Sequence, residues 1–529
     1  MIRSALLAPT LVWSLLPVLA GAQGGEPDLQ WTSWWERERE GLLDLRRNLF
    51  PVGGEDGDFP PGFHPVDPET RRNRILPLLL EALEDRVPVV RRAAAIALGK
   101  SGEPKGLAPL LRAAAADPDR KVRQGACLGL GVLGAPDAVQ FLADLLANER
   151  AERTDRSYAA AGLGMAAGEG AVRALRGLLE GAGRIENRDV RVLCAISLGT
   201  TGDASAVPAL LGRLRGSESD PVVRAACVLA LGKIGDRSAL PSLIEALTTE
   251  AAIVRAAAAR ALGSVAAEGD EGAFATLERV VREDAQFFTR AQALLSIGKI
   301  GGEKAKAFLA RCFEVDGPLS NEQTLLAYAA FGMALAGSVE EAPRLASAFR
   351  TQGDVELRGG IALALGLLGD PAGTQDLLRE IDPVGNPDLF SACAVALGLL
   401  RRAEAAGPLE RGILRDRRLE VIQSAVVGRA LLGDAALFDA LGERLRRESS
   451  GRILGGVSSA LGELGDGRGV DLLLATYARS RLVDEARVQI LSALGRLADR
   501  GRYPVLYRLR RGTQSLVTTD TLEEILAIP

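Results

Sequence analysis

Apolar residues recur at helical spacing through most of this 529-residue chain, and a short turn interrupts them about every 33 residues. Ala230-Leu-Gly-Lys-Ile-Gly-Asp236 is the clearest copy of that turn. Upstream of it, residues 222–231 are alanine-rich and periodic; downstream, residues 238–247 form a second amphipathic stretch. Each unit therefore predicts an antiparallel helix pair. A fixed period of this length predicts stacked pairs rather than one globular core.

The central glycine of the turn marks the register. It stands at Gly99, Gly131, Gly164, Gly199, Gly232, Gly263, Gly298, Gly366, Gly398, Gly462 and Gly495, with Ala334 and Ala430 in its place in two copies, so 13 copies lie 31 to 36 residues apart. The residue before the mark is Leu, Ile or Met except for Arg429, and the residue two before it is always Ala, Gly or Ser. A large knob beside an always-small position is what closely packed helices require. A second glycine three residues past most marks suits a left-handed cap, and the acid that often follows, such as Asp203, Asp236 or Asp466, suits the start of the next helix. Pro208 and Pro241, about a turn into that helix, predict kinks.

Ahead of the mark, most copies carry an arginine: Arg91, Arg123, Arg156, Arg191, Arg224, Arg255, Arg290, Arg358 and Arg487. Leu326, Phe390, Ile422 and Leu454 replace it in repeats eight and ten to twelve. Over roughly residues 69–499 this pattern of Val-Arg, small residues and Leu-Gly-x-x-Gly-Asp resembles the HEAT-like repeat first associated with phycobilin lyases. The resemblance implies an all-α, right-handed α-solenoid of about 13 HEAT-like helix-pair repeats, with the arginines forming a ladder to acids of neighbouring loops. Asp119 and Asp220, each four residues ahead of an arginine, fit as ladder partners. At about 8–10 Å per stacked helix the array would run on the order of 100 Å along its curve and offer a long concave surface.

Composition changes this picture little. Charged residues make up 25%, aromatics 4%, and the net charge is −4, so nothing argues for a nucleic-acid binder. The first 22 residues change it more. Arg3, the apolar stretch 5–19 and Ala20-Gly-Ala22 read as a signal peptide cleaved near Ala22. The stretch is short for a membrane span and contains Pro9 and Pro17. The expected mature protein has no membrane span and is periplasmic or extracellular, from a bacterium. Cys127, Cys194, Cys227 and Cys393 fall where other copies mostly have alanine, which predicts buried thiols rather than disulfides.

Candidate chemistry is sparse. His64 is the single histidine, set in the Pro/Gly-rich run Pro60-Pro-Gly-Phe-His-Pro65. That excludes the several His-Glu pairs that hold two irons in deoxyhypusine hydroxylase, an enzyme built from such repeats. It also leaves a Ser-His-Asp or Cys-His mechanism without a placed base. There is no Cys/His zinc spacing and no phosphate-binding loop. The expectation is no catalytic residue, no metal and no cofactor.

Outside the repeats (69–498), four segments remain: the signal peptide (1–22), a Trp-rich helix that caps the first repeat (23–50), a Pro/Gly/Asp-rich linker (51–68), and a basic helix with a capping tail (499–529). Trp31, Trp34 and Trp35 are all the tryptophans of the mature chain, and they cap or anchor a partner. Arg508, Arg510 and Arg511 belong to a basic cluster suited to an acidic partner. Phe331 and Phe390 lie on the apolar helices of repeats eight to twelve, where loss of the arginine predicts looser packing and an apolar groove. Together these features describe a monomeric, non-enzymatic, exported scaffold for unidentified protein partners. A lyase-like ligand holder and a self-assembling envelope element are the alternatives.

Overall fold

The computed structural model describes residues 31–43 and 64–528, apart from 182–186, 217, 320–321, 383–384, 435, 480, 500–506, 511–512, 514–516, 518 and 527. The signal segment, most of the 51–68 linker and Arg511 lie outside the described residues. Every described element is helical. Helix α1 is Trp31–Leu43; helix α2 spans 68–83 as Pro68–Thr70, a π turn Arg71–Ile75, and Leu76–Leu83. The thirteen mark-bearing helices follow: Pro88–Lys100, Arg120–Leu133, Arg153–Ala166, Arg188–Thr201, Pro221–Ile234, Ala252–Val265, Phe287–Ile300, Gln323–Ala336, Val355–Leu368, Pro387–Leu399, Leu419–Leu431, Gly451–Leu464 and Asp484–Ala498.

Each of these helices packs along the next, and the thirteenth packs along the first. The solenoid closes into a ring. Mark glycines explain how the helices approach so closely. A Cβ built on Gly199 would lie 2.6 Å from the Cα of Ala230, and one on Gly462 would lie 2.7 Å from the Cα of Ala493. Both neighbours are the always-small residue two before the next mark. At the seam the same contact recurs, with a Cβ on Gly495 falling 2.7 Å from the Cβ of Ala97 in repeat one. The mark-bearing helices touch one another far more than the second helices do, so they form the inner circle. At about 8 Å between axes, thirteen helices close a circle about 33 Å across.

The seam is more than abutment. Among the described residues, repeat thirteen ends at Ala498 with no second helix in the outer position, and α2 precedes repeat one with no inner helix of its own. These missing halves complete each other. Arg74 of α2 pairs with Asp471 on the outer helix of repeat twelve at 2.6 Å. Asp85, just past α2, receives Arg487 of repeat thirteen, as Asp117 past the outer helix of repeat one receives Arg91. The last repeat is thus built from both ends of the chain.

The arginine ladder has the expected residues but not the expected acids. Arg91 binds Asp117 through two hydrogen bonds of 2.8 and 2.9 Å, Arg191 binds Glu218 at 2.6 Å, and Arg255 binds Asp284 at 2.7 Å. Arg224, Arg290 and Arg358 bind Glu250, Glu322 and Glu380. Arg123 reaches Asp155 at 3.8 Å and the Asp117 carbonyl at 3.0 Å, and Arg156 donates to the Leu146 carbonyl. Asp119 and Asp220 do not face their own arginines. They cap helices by accepting from Lys121 and Val222, and Asp220 pairs instead with Arg188. At Asp117, Glu218 and Asp284 the ladder acid sits two residues before the cap residue and also accepts its N–H, as Asp117 does from Asp119. Where the ladder arginine is missing, others serve: Arg418 binds Asp416 and Arg444 binds Glu448.

Turn chemistry mostly follows the sequence. Gly134, Gly202, Gly235, Gly369 and Gly465 adopt the left-handed cap conformation, with φ between 66 and 76°. Pro208 and Pro241 produce no kink, because a 3₁₀ turn precedes each outer helix and places the proline in its first turn, where no backbone donor is lost. General looseness in repeats eight to twelve is not found. Only the joint between repeats eleven and twelve is markedly less extensive than its neighbours, and there Ala430 replaces the mark glycine.

Candidate functional site in the ring interior

A ring of this diameter leaves a lumen about 23 Å wide once the helix radius of about 5 Å is removed from each side. The segments outside the repeats lie against its inner face. Helix α1 does not sit on repeat one. Its tryptophans surround Phe331 of repeat eight, with ring centroids 5.5, 4.7 and 6.0 Å away for Trp31, Trp34 and Trp35. The Trp31 indole donates to the Glu356 carbonyl at 2.8 Å. Its ring rests on Gly359 and Gly360 of repeat nine, where an added Cβ on Gly359 would come 3.1 Å from the indole. Trp31, Trp34 and Trp35 retain only 6, 4 and 7% exposure, so in this conformation they anchor the chain to itself and present no partner surface.

Two ion pairs fix the polar side of α1. Glu38 meets Arg260 of repeat six, both nearly buried, and Arg260 also binds Gln292 Oε1 at 3.0 Å. Arg39 pairs with Glu463 of repeat twelve at 3.3 Å, and Glu463 also holds Arg496 at 3.5 Å. Three residues before the mark, the register reads Ile96, Leu128, Ala161, Ile196, Leu229, Arg260, Leu295, Phe331, Leu363, Val395, Val427, Ser459 and Ser492. Its single charge and its single aromatic residue are the two that hold α1.

The C-terminal segment takes another part of the interior. Glu524, on the helix Asp520–Leu526, binds Lys121 at 2.5 Å and Arg92 at 3.1 Å, and Thr521 donates to Asp189 at 3.1 Å. Burial alone would raise the Glu524 pKa, but Lys121 and Arg92 together hold it below the usual carboxylate value. Lys233 donates to the carbonyls of Arg508 and Leu509, each at 3.0 Å. The predicted basic surface is partly used inside the molecule: Arg510 donates to the Leu526 and Ile528 carbonyls, whereas Arg508 is exposed. Phe390 is fully buried between its inner helix and Gly412 of the outer helix, so it lines no groove. Tyr507 stands against Gly41 of α1, so the acidic start and basic end of the chain meet within one molecule.

The sequence carried a signal for this site. Repeat nine reads Arg358-Gly-Gly where repeats five and six read Arg224-Ala-Ala and Arg255-Ala-Ala. Two glycines inside a helix cost about 1 kcal/mol each relative to alanine, which marks a close approach. His64 contributes backbone only: its N–H donates to Asp466 and its carbonyl accepts from Gly467. Among the described residues no group of three or more His, Cys, Asp or Glu side chains is arranged to hold a metal ion. No described helix is long and apolar enough to cross a membrane.

Residues 76–164, 175–263 and 243–321 match the profile of HEAT repeats. The stretch 76–321 is a HEAT-repeat array. Beyond the matched stretch, the units marked by Gly366, Gly398, Gly462 and Gly495 repeat the glycine-to-small-residue contact of the matched units. No curated protein matches the chain. Among solved structures, human deoxyhypusine hydroxylase in complex with glycerol is similar at 20% identity, over 56% of this chain and 96% of that one, with a TM-score of 0.24. The HEAT repeats make this chain a helical repeat scaffold.

Proposed function

We propose that this HEAT-repeat ring is a non-enzymatic, exported scaffold that binds other proteins, a relative of the phycobilin-lyase-type repeat family working in the bacterial periplasm or outside the cell. The observation that supports it most is the seating of α1, a helix from outside the array held by side chains of repeats six, eight, nine and twelve. An inner face that grips one helix has the shape and chemistry to grip others. Export rests on the charged, apolar and small-residue succession of residues 1–22. The mature chain works as a monomer, because its tryptophans are buried against its own ring and Arg39, Arg510 and Glu524 near its two ends are engaged internally.

Photo-crosslinkers placed at exposed ring positions such as Arg173 and Val315, in cells producing the full chain, test this reading. A discrete protein adduct in the envelope fraction supports it. Retention of the chain in the cytoplasm, or adducts of no defined mass, overturns it.

A further inference from the structure

We propose that Arg260, Gln292, Phe331, Gly359 and Gly360 form a receptor for a tryptophan-bearing amphipathic helix of a partner protein, with α1 as its resident, displaceable occupant. The proposal rests on the scaffold reading and names the class of partner. The site is built rather than incidental. Gly359 opens a notch in a helix whose own propensity favours alanine, and the Trp31 indole lies in that notch; Gly360, 3.5 Å from the indole nitrogen when a Cβ is added, widens it while also making room for Ala327 of repeat eight. Arg260 puts a charge into a register that is otherwise uncharged, and Glu38 meets it there.

The fit of α1 is also incomplete. Trp34 Nε1, Arg260 Nε and Gln292 Nε2 are buried donors without an acceptor among the described residues. A buried donor left unmet lowers the affinity of whatever covers it. Tethering compensates for the imperfect fit of α1, because a helix on the same chain has a high effective concentration. A free partner must therefore fit better than α1. Its chemistry follows from the pocket: two aromatic residues a helical turn apart, a carboxylate placed like Glu38, and a further carboxylate or amide facing Arg260 and Gln292.

The test uses the full mature chain, with a labelled synthetic peptide of residues 29–45 as the probe. Trp31→Ala with Glu38→Gln loosens α1 in cis and leaves the receptor intact. That variant is expected to bind the peptide at least about tenfold more tightly than the unaltered chain, since a buried charge-assisted pair no longer competes. Adding Gly359→Leu, which fills the notch and meets Trp31 before any other residue, removes the gain. Arg260→Met removes it through the charge. Circular dichroism confirms that each variant keeps its helices.

No binding by the loosened chain, or equal binding when the receptor is altered, overturns the receptor even if the envelope adduct persists. Intact peptide binding with no envelope adduct overturns the scaffold reading, and the partner helix with it.

Discussion

Arg487 of the last repeat binds Asp85, 402 positions earlier in the chain. The contact closes the ring and repeats the geometry of Arg91 with Asp117 inside the first repeat. Asp85 also accepts the Val87 N–H at 2.8 Å, so one carboxylate shapes the entry to the first inner helix and holds the last.

The hydrogen bond from Arg487 holds the Asp85 pKa below its ordinary value of 3.8. A carboxylate with a depressed folded-state pKa contributes stability that is fully present above its unfolded value and is lost as pH falls through the folded value. Acidification below pH 3.8 should therefore loosen the seam. Asp85→Asn should cost about 1–3 kcal/mol at neutral pH. Hydrogen exchange in Pro88–Lys100 and Asp484–Ala498 reads both effects, and unchanged protection there would show that the seam does not depend on this pair.

Two glycines in helices should respond in opposite directions to the same change. Gly199→Ala drives a methyl into the Ala230 backbone 2.6 Å away and should cost several kcal/mol, about the scale of overpacking a core. Gly177→Ala meets nothing within 4 Å on an exposed outer helix and should gain about 0.5–1 kcal/mol. Urea denaturation of both variants measures the contrast.

Ala167 stands at φ 55° and ψ −161°, a conformation open almost solely to glycine. Gly301 holds the same conformation, at φ 73° and ψ −160°, at the matching turn of repeat seven. Ala167→Gly should stabilise the protein by about 1 kcal/mol by removing that strain. A melting temperature that falls would mean the neighbouring helices need the methyl.

All five cysteines are free and buried. Burial pushes the thiols of Cys127, Cys194, Cys227 and Cys312 up to about 12, and Cys393 higher still. At pH 8 they should resist iodoacetamide in the native state and react only as fast as the ring opens. Any thiol that alkylates at the rate of a free cysteine would place it outside the packed ring.

The repeat, its helix pairs, its caps and the ladder arginines were legible because each depends on neighbours within one period. Closure was not, because it depends on the small angle between successive helices, accumulated over thirteen joints. Its one trace was an arithmetic one: among the described residues, 68–83 are an outer helix without an inner partner, and Asp484–Ala498 an inner helix without an outer one. The tryptophans read as a cap or a partner anchor for the same reason. Trp31 and Phe331 are 300 positions apart, and only the ring brings them within 5.5 Å. The ladder acids were misplaced by two residues because Asp119 and Asp220 satisfy a local rule for helix starts, and local rules win when both roles compete for one turn.

Assembling one repeat from both ends of the chain has a cost during synthesis. Ile75 of α2 is fully buried in the finished protein, yet its π turn Arg71–Ile75 packs against Asp484–Ala498, made some 400 residues later. At about 5–20 residues per second, that turn waits tens of seconds for its cover. Until then the nascent chain is an open spiral with a sticky edge at its oldest end. The finished ring has no terminal repeat to fray, so the risk of misassociation is concentrated in the interval before the ends meet.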